Sequence, residues 1–160
     1  MSKPDFERML QLIDEVFATR NDVGQIQVNQ AQMQKLQQIH PATLSEDTGP
    51  LGPKTWVLLI PTNNTIMRHF LNGEITEKEL LDKTRPGAAY ECIYLCSATT
   101  LPEYRGQGNT KKLCLQAISA ICASHPVKSL FVWPFTPEGE KLAESLANQS
   151  GLVLHKKTLN

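Results

Sequence analysis

The chain has 160 residues, 41% of them hydrophobic and 20% charged, which fits one domain with a real core. Its 16 basic and 16 acidic side chains cancel, and no long basic run argues for a nucleic-acid-binding surface, although a local basic site for a small anion stays open. No apolar run approaches the roughly 20 residues needed to span a bilayer, and Met1-Ser2-Lys3-Pro4-Asp5 does not begin a signal peptide, so the expectation is a cytoplasmic protein.

Phe6, Met9, Leu10, Ile13, Val16 and Phe17 recur at helical spacing and predict a first helix that starts near Pro4. The glutamine-rich stretch 25–40 carries Met33, Leu36 and Ile39 or His40 as a weaker apolar stripe, stopped by Pro41. Residues 41–54 read as a loop, because Gly49-Pro50 and Gly52-Pro53 are strong breakers. Trp56 to Ile60 is a continuous apolar run that reads as a buried strand. Ile66, Met67, Phe70 and Leu71 mark a short helix with Gly73 just past it. Thr76 and Glu79 have the spacing of a capping box in front of Leu80-Leu81, so another short helix begins there.

Residues 89–100 read as a long strand. Alternation puts Tyr90, Cys92, Tyr94, Cys96 and Ala98 on one face and Ala89, Glu91, Ile93, Leu95 and Ser97 on the other. Both faces are mostly apolar, as in a central strand. Leu113, Ala117, Ile118 and Ile121 form the stripe of a helix running from Gly108 to about Ser124. Val127 to Phe135 returns to strand. Thr136 and Pro137 then make an N-cap and a first helical residue, and Gly151 leads to a last strand at 152–154. Strand, helix, strand, helix, strand argues for an α/β sandwich.

The four cysteines, Cys92, Cys96, Cys114 and Cys122, are expected to be reduced thiols. Cys92 and Cys96 lie about 13 Å apart on an extended strand, too far to ligate one zinc ion with bonds of about 2.3 Å. They read as small core residues, and no metal is expected.

The chemistry concentrates where the long strand meets the following helix, over Thr99-Thr100-Leu101-Pro102-Glu103-Tyr104-Arg105-Gly106-Gln107-Gly108-Asn109-Thr110-Lys111-Lys112. A glycine-rich turn feeds straight into a helix whose first amides lack intrahelical partners and carry the positive end of the dipole. Such a site suits phosphate or pyrophosphate, with Arg105, Lys111 and Lys112 able to add charge-assisted contacts. It is neither a Walker loop, since no Gly-Lys-Ser/Thr follows, nor a dinucleotide fingerprint, since position 111 is lysine.

Pro102 to Gly108 resembles the hallmark turn of the GNAT superfamily of acetyl-CoA-dependent N-acetyltransferases, a Gln/Arg-x-x-Gly-x-Gly/Ala motif that ends a strand and opens a helix. Arg105 takes its first place and Gly108 its fourth, while Thr110 stands where glycine or alanine is usual and its hydroxyl could itself meet a phosphate. The resemblance covers residues 90–157. The first 85 residues match more loosely, in early helices and a strand at 55–60.

The resemblance implies an α/β (α+β) fold with a mixed, largely antiparallel central sheet flanked by helices. It implies one domain over 1–160, with a helical part and loop at 1–54 and an acyl-CoA-binding core at 55–160. It implies acetyl-CoA as cosubstrate, with no metal, and a small-molecule or peptide amine as acceptor. Nucleic acid and membrane are not implied, and a homodimer is compatible with it. Backbone near Thr99, Thr100 and Leu101 would pair with the pantetheine arm. Arg105, Gly106, Gln107, Gly108, Asn109, Thr110 and Lys111 would hold the pyrophosphate.

Acetyl transfer further needs a neutral amine, a polarised carbonyl and a proton for the leaving thiolate. Many GNAT members use a tyrosine in the late helix as general acid, yet Tyr90, Tyr94 and Tyr104 are the only tyrosines and none lies in 137–149. Glu91, between apolar neighbours in the long strand, is the candidate base, and its plainer reading is a solvated carboxylate. Cys96 as a nucleophile would need a base partner, and the sequence shows none beside it. His40, His69, His125 and His155 are scattered and read as structural or solvated. Two other functions stay open: a catalytically silent GNAT-like module that binds CoA or acyl-CoA as a sensor, and an interaction role for the helical N-terminal region.

Overall fold

The computed structural model describes Arg8, Gln11, residues 30–134 and residues 136–157. Of the helix expected from Phe6 to Phe17, Arg8 and Gln11 are among the described residues and both are helical; the rest lies outside them. Helix α1 (Gln30–Ile39) leads into a hairpin of β1 (Leu44–Gly49) and β2 (Gly52–Thr62). Helices α2 (Asn64–Leu71) and α3 (Glu77–Lys83) precede the long strand β3 (Cys92–Thr100). Helix α4 (Asn109–Ser124), β4 (Ser129–Val132), α5 (Pro137–Ser150) and β5 (Val153–Lys156) complete the order.

Among the described residues, one five-stranded sheet runs β1-β2-β3-β4-β5 in space as in sequence. The ladders β1–β2 and β2–β3 are antiparallel and the longer ones, whereas β3–β4 and β4–β5 are parallel and joined across α4 and α5. The α+β class and the flanking helices are as expected. The expected loop at 41–54 is instead the β1–β2 hairpin. Ser45, Glu46, Asp47 and Thr48 give β1 little apolar signal, because it is an edge strand with residues turned to solvent. The Gly49-Pro50 and Gly52-Pro53 breakers make only the tight turn, and Pro53 sits beside an irregularity between Asp47 and Thr48.

Local signals explain the helix starts. Thr76 accepts from the Glu79 amide at 3.1 Å while Glu79 Oε1 accepts from the Thr76 amide at 3.1 Å, a complete capping box. Thr136 caps α5 by accepting from the Gly139 amide at 3.0 Å.

Each face of the sheet buries its own core. On one, Leu36 and Ile39 of α1, Met67 and Phe70 of α2, and Leu80 and Leu81 of α3 pack on Leu58, Ile60, Cys92, Tyr94 and Phe131. On the other, Leu113, Ala117, Ile118 and Ile121 of α4 and Ala143 and Leu146 of α5 pack on Val57, Leu59, Ile93, Leu95, Leu130 and Val132. Cys92 is a core residue as expected, whereas Cys96 is only half-buried against the same core. Burial pushes the thiols of Cys92 and of the buried Cys114 up to about 12. Among the described residues no helix is long and apolar enough to cross a membrane.

The expected alternation of β3 holds as far as Cys96, which packs on the same side as Cys92 and Tyr94. Leu58 faces Ser97 but Leu59 faces Leu95, so Cys96 is an extra residue, a β-bulge. Residues opposite one another in a ladder share a face. Ser97 therefore joins Leu58 on the α1–α3 side, and Ala98, opposite Val57, joins the α4–α5 side. This is the reverse of the expected assignment for both residues, because one inserted residue inverts every side chain after it.

Candidate functional site

The glycine turn lies at the end of β3. A short 3-10 turn, Pro102–Tyr104, carries the chain off the sheet, and α4 begins at Asn109. Gly106 and Gly108 have φ of 80° and 76°, the left-handed region that glycine enters without penalty. A Cβ built on either would meet nothing within 4 Å. Glycine is thus favoured by backbone conformation rather than by crowding, and the space before the turn is open. Gly108 is the N-cap of α4 and supplies no side-chain hydrogen bond, and the first turn holds no acidic residue. The amides there keep their donor capacity and the dipole its positive end.

The turn is tied to the strand by side chains. Arg105 Nε donates to the Thr100 carbonyl at 3.0 Å. Thr100 Oγ1 is hydrogen-bonded both to Thr110 Oγ1 and, at 3.2 Å, to Thr55 Oγ1. The Thr110 hydroxyl is therefore engaged with the sheet. Thr99, Thr100 and Leu101 are buried, and the Leu101 amide donates to the Lys54 carbonyl at 2.9 Å. Asn109 Nδ2 donates to Gln107 Oε1 at 3.2 Å, Lys111 is half-buried beside them, and Arg8 pairs with Glu103 at 2.6 Å. Thr99, Thr100 and Leu101 thus lie buried at the end of the strand, while Arg105, Gly106, Gln107 and Gly108 of the turn are exposed.

A cleft runs from this turn into the sheet. The β3–β4 ladder ends at Leu95 opposite Val132, whereas β3 continues to Thr100. Among the described residues, no strand lies beside that edge of residues 96–100. The gap opens into a cleft of about 380 Å³ lined by Leu95, Cys96, Ala98, Thr110, Cys114, Trp133 and Leu142 among others. The bulge at Cys96 sits where the two strands part, a common place for a bulge to re-aim side chains. A broader groove follows α4 outward from Gly108 past Lys111 and Lys112 to Ser119 and Gln149.

Behind the Cys96 wall of the cleft is a buried polar group with no mark of its own in the sequence. Glu77, the first residue of α3, is only 1% exposed. Its Oε2 accepts from the Tyr94 hydroxyl and, at 3.8 Å, from Cys96 Sγ. The Tyr94 ring is fixed by stacking on Phe131 at 5.0 Å and by Phe70 at 4.9 Å. Lys157 Nζ lies 4.4 Å above the neighbouring Trp133 ring. The capping box that starts α3 is readable in the sequence. Its adjacent carboxylate turning inward is not, because its partner lies seventeen residues further along the chain.

Glu91 is placed away from this group. It precedes β3, is exposed, and accepts from the Asn64 amide and Nδ2, both at 3.3 Å, at the start of α2. The length of β3, roughly 3.3 Å per residue, separates it from Thr99 and the turn. His40 and His125 stand edge to face at 5.8 Å, each taking a backbone N–H on Nδ1, from Ala42 and Tyr90 respectively. Comparison of the chain with family models, with curated proteins and with solved structures returned no match.

Proposed function

We propose that the protein transfers an acetyl group from acetyl-CoA to an amine. The observation that carries this reading is the break in the β3–β4 ladder beside the uncapped start of α4. An extended pantetheine arm pairs with backbone where a strand is missing, and the pyrophosphate takes the amides at the head of the helix. The mostly apolar cleft between them fits an acyl thioester. The likeness of Arg105 to Thr110 to the GNAT turn agrees with the same placement. A donor held in the cleft beside the acceptor gains much of its rate from proximity. Cysteines held as thiols, together with this cofactor, suit the cytoplasm.

Calorimetric titration with acetyl-CoA tests the reading. Wild type should bind, and Arg105→Glu or Gly108→Glu should weaken binding at least tenfold by bringing negative charge to the phosphate site. Absence of binding at millimolar acetyl-CoA overturns it.

A second reading is a silent CoA-binding module. It is favoured by α5, whose residues Pro137–Ser150 include no tyrosine to act as the acid. Release of free thiol on presenting a library of amines decides between the two, since any turnover removes the silent reading.

A further inference from the structure

A thiol becomes a practical nucleophile when a base lies within reach and a third group orients that base. The fold assembles such a set. Cys96 is half-buried, lines the cleft, and stands at the bulge where β3 leaves β4. Its Sγ donates to Glu77 Oε2 at 3.8 Å, and the Tyr94 hydroxyl donates to that same oxygen. Tyr94 is in turn immobilised between Phe70 and Phe131. The carboxylate is 1% exposed, so water competes little for it. Passing a proton from Sγ to Oε2 leaves the net charge of the pair unchanged, which makes the transfer tolerable in a low-dielectric site.

We propose that Cys96 accepts the acyl group covalently, with Glu77 as its base and Tyr94 as the residue that positions Glu77. The inference rests on the proposed use of an acyl-CoA in the cleft. Cys96 Sγ attacks the thioester carbonyl as its proton moves to Glu77 Oε2. The new Sγ–C bond forms, the bond from carbon to the CoA sulfur breaks, and the proton passes from Glu77 to the departing thiolate. One thioester replaces another, so no oxidant or external energy source is needed. The amine then attacks the acyl-cysteine carbonyl. A C–N bond forms, the Sγ–C bond breaks, and a proton from the nitrogen returns to Sγ. Free CoA leaves before the amine reacts.

The test uses the full chain with acetyl-CoA and no amine. Intact-mass measurement should show the gain of one acetyl group with release of one equivalent of CoA. Peptide mapping should put the group on the peptide containing Cys96, and hydroxylamine should remove it, as it removes thioesters but not acetyl-lysine amides. Cys96→Ser should lose the hydroxylamine-labile adduct. Glu77→Gln should form it on the order of a hundredfold more slowly, and Cys96→Ser carries the test alone should Glu77→Gln fail to fold. An S-acetyl thioester of N-acetylcysteamine, which lacks the nucleotide, serves as a second donor. If acetyl-CoA fails to bind, the proposed function falls, and acetylation of Cys96 by the small donor still decides this inference. Binding of acetyl-CoA without acyl-Cys96, or an equal labile adduct in Cys96→Ser, overturns it.

Discussion

The hydroxyl of Thr110, in the first turn of α4, is hydrogen-bonded to the hydroxyl of Thr100 at the end of β3, and Thr100 is bonded onward to Thr55 on β2 at 3.2 Å. Three hydroxyls thus tie the helix that begins at the glycine turn to two strands of the sheet. A net contribution of about 1 kcal/mol per bond is ordinary. Thr110→Val keeps the shape, removes one bond and leaves Thr100 its partner on β2. It should lower stability by about 1 kcal/mol in urea unfolding. Thr100→Val removes the central hydroxyl and strands two buried or half-buried partners, so its loss should be larger, about 2 kcal/mol. Equal midpoints for wild type and both variants would show that the chain of hydroxyls contributes nothing.

Gly108 makes a separate prediction, because its requirement is conformational. With φ at 76° and nothing within 4 Å of where a Cβ would stand, added bulk meets no neighbour. A β-branched side chain nevertheless resists the left-handed region, while asparagine enters it readily. Gly108→Val should cost about 1–2 kcal/mol, and Gly108→Asn should stay within about 1 kcal/mol of wild type. Thermal unfolding of both variants checks the order. If valine and asparagine cost the same, the left-handed backbone is not what glycine supplies there.

The features that can be read in the sequence are those written into neighbouring residues. The capping box of Thr76 and Glu79, the Thr136 cap and the stripe from Leu113 to Ile121 each depend on residues three or four apart. The Arg105 to Thr110 turn belongs to the same kind, and both glycines have the positive φ its conformation demands. What escapes depends on distant partners. Strand β1 exists because β2 pairs with it, and Ser45 to Thr48 carry little signal of their own. No glycine or proline marks the bulge at Cys96, so strict alternation through 89–100 puts Ser97 and Ala98 on the wrong faces. Glu77 looks like any acidic residue in a first helical turn. Its burial follows from Tyr94 and Cys96, which reach it from β3 on the sheet face that the helix covers. A carboxylate does stand near Cys96, and only the tertiary fold brings it there.

The aromatic cluster that holds Tyr94 should dominate the stability of the α1–α3 face. Phe70 is fully buried, and its ring centroid lies 4.9 Å from Tyr94, 5.9 Å from Phe131 and 6.1 Å from Trp133. Phe70→Ala should cost about 3–5 kcal/mol by loss of buried surface and the cavity left behind. That is a large share of a typical domain's stability of about 5–15 kcal/mol. Phe70→Leu fills much of the space and should cost less, although it forfeits the ring pairs, worth about 0.5–1.5 kcal/mol each. Chemical denaturation gives both values, and an alanine variant within about 1 kcal/mol of wild type would mean that this face repacks freely.

The pairing of His40 with His125 makes stability depend on pH in a definite direction. Burial of the ring is the larger cause that lowers the His40 pKa from 6.5, and the charge of His125 acts the same way. Geometry agrees, since Nδ1 of His40 accepts the Ala42 amide at 3.0 Å and cannot do so once protonated. Because the folded pKa lies below the unfolded one, the unfolded chain binds more protons between the two values. Stability from this site is therefore complete above pH 6.5 and is lost as pH falls through the folded pKa. The urea midpoint should decline on acidification from pH 6.5, before the carboxylates titrate. In His40→Asn, whose Oδ1 can still accept the amide but does not titrate, that decline should flatten. A midpoint that rises as the pH is lowered, or an unchanged slope in His40→Asn, would place the pH dependence elsewhere.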